Sequence, residues 1–138
     1  MNAPPRNLRL AVLDDPLAVC RLDAASGVPS WALEDGFFSV TRTDEELSVV
    51  CREEAVPKDV RCEKGWRALR LEGPFEFSEV GVLASVAAPL AEADVSIFAV
   101  STFDTDYVLV RDEQLDPAAG ALRERGHEVV RTSRSLKE

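Results

Sequence analysis

The order of elements between Gly73 and Val110 limits the fold of this chain more than any other feature. A polar loop leads into a long apolar helical stretch, then a strand, a tight acidic turn and a second strand. Leu83, Val86, Ala87, Leu90 and Ala91 keep the i, i+3, i+4, i+7, i+8 spacing of one buried helical face. Phe77 and Val82 stand where a hydrophobic staple would hold them around Ser78 as N-cap, which predicts a helix beginning there. Pro89 lacks an N–H, so the Ser85 carbonyl loses its helical partner and a kink is expected, although the apolar spacing continues past it. Residues 95–101 and 107–111 read as strands joined by Thr102, Phe103, Asp104, Thr105 and Asp106. Leu115, Ala118, Ala119 and Leu122 then mark a second amphipathic helix that Gly126 can stop, and residues 127–131 form a last strand. With a strand at 66–71 in front, the second half reads β-α-β-β-α-β. That is a ferredoxin-like α+β sandwich, an antiparallel sheet with its helices on one face.

The first half follows the same plan less completely. Leu8, Leu10 and Val12 alternate with polar or small residues, as in a half-buried strand. After the Asp14-Asp15-Pro16 turn, residues 17–22 read as a second strand, and 24–35 as a loop with Trp31 as its anchor. Residues 37–42 and 47–51 flank Thr43-Asp44-Glu45-Glu46 as a hairpin. Thr43 with Glu46 also fits a capping box, but the run that follows is short and β-branched, which favours the hairpin. Residues 53–60 read as a turn or short helix broken by Pro57, and Gly65 as a hinge. Residues 1–65 are thus expected to be a degenerate copy of the subdomain formed by residues 66–138.

At 138 residues the chain is one ordinary domain or two very small ones sharing a core. A net charge of −9 opposes binding to phosphate backbones, so no nucleic-acid partner is expected. The longest uncharged run, residues 80–91, is far short of the roughly 20 residues that cross a bilayer. The first residues lack the apolar core of a signal peptide. Cys20, Cys51 and Cys62 are odd in number and form no CxxC, the pattern of reduced thiols in a cytoplasmic protein.

Residues 66–110, WRALRLEGPFEFSEVGVLASVAAPLAEADVSIFAVSTFDTDYVLV, closely resemble the C-terminal half of small bacterial tandem ACT-domain proteins, a group related to the aspartokinase regulatory domain. FFSVTRTDEELSVVC and AVCRLD resemble the first half of the same proteins, and the CASTOR-type arginine sensors of animals look like distant, double-length relatives. The resemblance implies two tandem ACT subdomains and a regulatory module, commonly dimeric. Such a module binds an amino acid at an interface between ACT domains and lacks chemistry or a cofactor of its own. Carried over by position, Ser78, Glu79, Val80 and Gly81 lie in the ligand loop, whose backbone N–H groups meet the ligand carboxylate. Ser96 and Ile97 match edge residues that contact ligand across an ACT pair. Thr102, Phe103 and Asp106 match pocket positions of the arginine-sensing relatives. One position departs from the pattern: Asp94 stands where the family usually has glycine, between helix and strand.

Each of these residues also has a plainer reading. Asp104 and Asp106 suit a tight turn without any metal, and none is expected. Glu79 near a helix start favours the helix dipole with or without a ligand. His127 has no partner spacing that suggests a general base, and the cysteines have no neighbouring base, so no enzymatic activity is expected. Phe103, set among polar residues, suits a pocket wall or a dimer contact and can stack on an aromatic ligand. Glu79 and Asp106 together favour a basic or neutral amino acid. The alternative function is a ligand-free module that dimerises or docks onto a metabolic enzyme or regulator.

Overall fold

The computed structural model describes residues 7–73 and 80–131. It divides the chain into two units, Asp15–Trp66 and Met1–Asp14 with Arg67–Glu138. In the first, β2 (Leu17–Leu22), β3 (Ser39–Arg42), β4 (Leu47–Arg52) and the beginning of β5 (Cys62–Leu71) pair antiparallel in the order β3-β4-β2-β5. Thr43 closes the β3–β4 hairpin. Its N–H donates to the Glu46 carbonyl at 2.9 Å, and its Oγ1 accepts the N–H groups of Glu45 and Glu46 at 3.1 and 3.2 Å. Thr43 thus satisfies backbone in a turn, where a capping box would have used it to start a helix. The loop before β3 tightens into a single 3-10 turn, Ser30–Leu33, which buries Ala32 against Ala18, Cys20, Leu47 and Val49. This unit contains no α-helix, the form that the expected degeneracy takes.

Gly65 is not a hinge between elements but a bulge inside β5, which starts at Cys62 and runs ten residues. Pairing shifts from Val19 opposite Glu63 to Leu17 opposite Trp66, so Lys64 and Gly65 both face Ala18. Gly65 takes φ +82°, which favours glycine, and its N–H donates to Glu53 Oε1 at 2.9 Å.

The other unit has the strand order β8-β1-β5-β7-β6, with β1 (Arg9–Val12), β6 (Ile97–Ser101), β7 (Asp106–Arg111) and β8 (Glu128–Arg131). β1, expected in the N-terminal half, sits here between the end of β5 and β8. It is antiparallel to the first and parallel to the second, so the sheet is not wholly antiparallel. Two helices, α1 (Val82–Glu92) and α2 (Leu115–Glu124), pack on one face. The core joins Leu10, Val12, Leu69, Leu71, Val108 and Val110 from the sheet to Val86 and Leu90 of α1 and Ala118 and Leu122 of α2.

α1 starts at Val82 and not at Ser78. Gly81 is its N-cap at φ +80°, outside helical geometry, and the Gly81 carbonyl accepts the first helical bond from the Ser85 N–H at 3.0 Å. Ser78, Glu79 and the staple residue Phe77 lie outside the described residues. The buried face consequently comprises Val82, Val86, Pro89 and Leu90, while Ala91 is exposed.

The helix continues across Pro89 because another group serves the orphaned Ser85 carbonyl. His127, 5% exposed, donates Nε2–H to it at 2.9 Å. Its Nδ1 accepts the Leu8 N–H at 3.1 Å, which fixes the neutral tautomer. Both helices end in Schellman motifs. Val95 N–H reaches the Leu90 carbonyl and Asp94 N–H the Ala91 carbonyl, with Asp94 left-handed at φ 62°. His127 and Gly126 repeat this pattern on Leu122 and Arg123. Among the described residues no helix is long and apolar enough to cross a membrane.

Candidate functional site

β5 buries Leu69 and Leu71 under the helices, so Arg70 and Glu72 emerge on the opposite face. The Glu72 carboxylate lies 3.6 Å from the Arg70 guanidinium and 3.4 Å from that of Arg9, which β1 places beside it. Tyr107 alternates with the core residue Val108 on β7 and joins Arg70 on that face.

The β6–β7 turn is tied to the end of β5. Thr102 N–H and Oγ1–H both donate to the Thr105 carbonyl, at 2.8 and 2.9 Å, and Thr105 N–H donates back to Thr102 Oγ1 at 3.3 Å. The Thr105 hydroxyl donates to the Leu71 carbonyl. Between turn and strand end lies a cleft of about 470 Å³, lined by Arg70 to Gly73 on one side and by Thr102, Asp104, Thr105 and Tyr107 on the other. That volume falls within the roughly 300–1,000 Å³ of small-molecule sites. Two guanidiniums face one carboxylate at the strand end, and Asp104 adds a second carboxylate from the turn. The cleft lining itself carries the Arg70 guanidinium and the Glu72 and Asp104 carboxylates. Arg70 and Glu72 side chains remain 40% and 36% exposed, so solvent screens their attraction.

The sequence-predicted positions distribute as follows. Thr102 lines the cleft. Asp106 accepts the Ser101 hydroxyl at 2.5 Å, and it alternates with Tyr107, which puts it on the helix side. Phe103 stands at the turn tip, 78% exposed. Val80 is 86% exposed and precedes Gly81 at the start of α1, where no side chain among the described residues caps the first-turn N–H groups. Ser96 is exposed, and Ile97 packs against the core at the start of β6. β6 pairs only with β7 among the described strands. Arg70, Glu72 and Thr105 were not singled out from sequence. Their signal was the polar alternation Arg70-Leu71-Glu72 inside an apolar strand. No group of three or more histidine, cysteine or acidic residues among the described residues is arranged to hold a metal.

Residues 61–124 match the family model described as ACT domain, and residues 15–59 match a second model for an N-terminal domain. The cytosolic arginine sensor for mTORC1 subunit 1 of Bos taurus is 32% identical over 111 residues, 75% of this chain. The chain spans about a third of the length of the curated relatives it matches, 33% in that case. An X-ray structure of an Agobacterium tumefaciens protein superposes with TM-score 0.88 at 42% identity, covering 94% of this chain and 96% of that one. Aspartate kinase of Clostridium acetobutylicum shares the fold, with TM-score 0.63 at 14% identity over 85% of this chain and 34% of its own. The sheet with two helices on one face and the match across β5, both helices, β6 and β7 agree: this chain belongs to the ACT-domain family.

Proposed function

We propose that the chain is a cytoplasmic, non-catalytic regulatory protein that binds an amino acid at the end of its C-terminal unit. The supporting observation is the cleft itself, where the Arg70 guanidinium and the Glu72 and Asp104 carboxylates line a space of about 470 Å³. Arg70 receives the ligand carboxylate in a charge-assisted pair, and Asp104 with the Thr102 hydroxyl receives the ammonium. The cleft wall reaches Gly73 and the chain is next described at Val80, so Ser78, Glu79, Val80 and Gly81 remain proposed contacts, with the uncapped N–H groups of α1 close behind them in sequence. Similarity to an arginine sensor supports a basic ligand; Asp106 and Phe103 do not line the cleft and are proposed only as contacts for a ligand side chain that reaches past the turn.

Calorimetry against the common amino acids tests this reading. One selective ligand is expected, and Arg70→Ala should weaken it at least tenfold. Free ligand at about 100 times its dissociation constant should add about 2.7 kcal/mol of stability. A flat panel, or binding unchanged in Arg70→Ala and Asp104→Ala, refutes the assignment.

The edge position of β6 among the described strands supports homodimerisation through Ser96 and Ile97. It equally favours the second reading, a ligand-free module that docks onto an enzyme or regulator. Sedimentation with and without the selected amino acid separates the two: only a sensor whose ligand closes the interface changes its association with ligand.

A further inference from the structure

Three thiols converge in the Asp15–Trp66 unit. Cys20 on β2 and Cys51 on β4 are buried in its core, and Cys62 at the start of β5 is partly exposed. Because β2 lies between β4 and β5, Cys20 has a thiol on either side. Cys62 is directly opposite across one ladder. Cys51, opposite Ala18, is the diagonal neighbour on the same face across the other.

The ladder decides which pair can join. Arg21 N–H donates to the Arg61 carbonyl at 3.0 Å, so Arg21–Arg61 is a hydrogen-bonded pair and Cys20–Cys62, one step along, is a non-hydrogen-bonded one. Such pairs hold their Cα atoms about 4.5 Å apart, inside the disulfide window of about 4.4–6.8 Å. Diagonal neighbours stand about 7–8 Å apart, outside it.

We propose that Cys20 and Cys62 are a redox-modification site, closing a reversible cross-strand disulfide when the protein meets a hydroperoxide. Cys62, the more exposed thiol, reacts first: its thiolate attacks the peroxide O–O bond, becoming a sulfenic acid as water leaves. The Cys20 sulfur then attacks the Cys62 sulfur, the S–S bond forms, and the sulfenic oxygen departs as a second water. Two thiols lose two electrons and two protons in all, and one hydrogen peroxide becomes two waters. A small disulfide reductant reverses the step.

The test is peptide mapping of the full chain after titration with hydrogen peroxide and alkylation. Trypsin leaves each cysteine on its own peptide, residues 10–21, 43–52 and 62–64, so the mass of a linked pair names its partners without any variant. The expected product joins 10–21 to 62–64, is lost on adding dithiothreitol, and lowers the free thiols of the denatured protein from three to one. Cys62→Ser should abolish it and Cys51→Ala should retain it. A linked peptide containing residues 43–52 overturns the proposal. So does persistence of all three thiols until excess peroxide converts Cys62 to sulfinic acid.

Discussion

The substitution His127→Leu strips two hydrogen-bonding atoms from the middle of the C-terminal unit while keeping a side chain of similar bulk. In the parent, Nδ1 accepts the Leu8 N–H at 3.1 Å and Nε2–H serves the Ser85 carbonyl at 2.9 Å, both shielded from water by a residue 5% exposed. The change orphans one buried donor and one buried acceptor, at about 1–3 kcal/mol each. Urea unfolding should therefore show a loss of about 2–6 kcal/mol, a large part of the about 5–15 kcal/mol that holds a domain folded. In the parent, nitrogen NMR of the imidazole should show the proton on Nε2.

The Ser85 share of that loss exists only because residue 89 is proline. Pro89→Ala restores an N–H one helical turn after Ser85, able to take its carbonyl. In the His127→Leu background this should recover about 1–3 kcal/mol more than in the parent, where the carbonyl is already satisfied. The packing lost with the buried proline ring enters both arms of the cycle and cancels. Leu8 is the internal control, because its amide stays orphaned in both variants lacking the imidazole and should exchange quickly in both. If Pro89→Ala acts equally in the two backgrounds, within about 0.5 kcal/mol, His127 does not replace the missing N–H and this account of α1 is wrong.

Asp94→Gly should raise stability by about 0.5–1 kcal/mol in urea unfolding, since glycine meets no penalty at φ 62° but loses more backbone freedom; a destabilised variant would show that the aspartate side chain supplies something more. Gly126→Ala should cost about 1–3 kcal/mol, because its Cβ at φ +92° would come within 2.8 Å of Asn7 Oδ1, and Asn7→Ala should return part of the loss. The S–H hydrogen bond to Cys51, together with burial, holds the Cys20 thiol well above 9.0. Above that pH the unfolded chain sheds this proton first, so stability, complete below it, should fall by up to about 1.4 kcal/mol per pH unit. Under reductant, Cys20→Ala should remove that component; an equally steep fall in the variant refutes it.

What the sequence disclosed was local and periodic. Leu115, Ala118, Ala119 and Leu122 alone predict α2, and all four are buried. The β3–β4 hairpin follows from β-branched runs around a polar turn. The residues that misled are those whose partners are distant in the chain. Ser78 satisfies every local rule for an N-cap, yet Gly81 is the N-cap of α1. His127 shows no partner by spacing, because Ser85 and Leu8 lie 42 and 119 positions away. Arg70 and Glu72 carry no signal of a site in sequence, because the cleft beside them depends on the β6–β7 turn that the Thr105–Leu71 hydrogen bond ties to the end of β5. Asp94 was legible, since a left-handed aspartate is what a helix end without glycine requires.

The position of β1 carries the same reasoning into the chain's organisation. A boundary at residue 65 separates β1 from the sheet it completes. Residues 66–138 alone would lack Leu10 and Val12, both in the core, and burial of such side chains contributes about 1.5–3 kcal/mol each. β8 pairs with β1 along its whole length, and the Leu8 carbonyl receives the Glu128 N–H at 2.8 Å, so β8 would also lose the strand beside it. The His127 ring would lose its Nδ1 partner as well. Together these losses amount to about 4–9 kcal/mol, comparable to the whole stability of a small unit. A fragment of residues 66–138 is therefore expected to be unfolded by circular dichroism, and a peptide of residues 7–14 added in trans should bind it and restore amide protection in β8. Cooperative unfolding of the lone fragment with β8 already protected would mean that β1 decorates this sheet without holding it together.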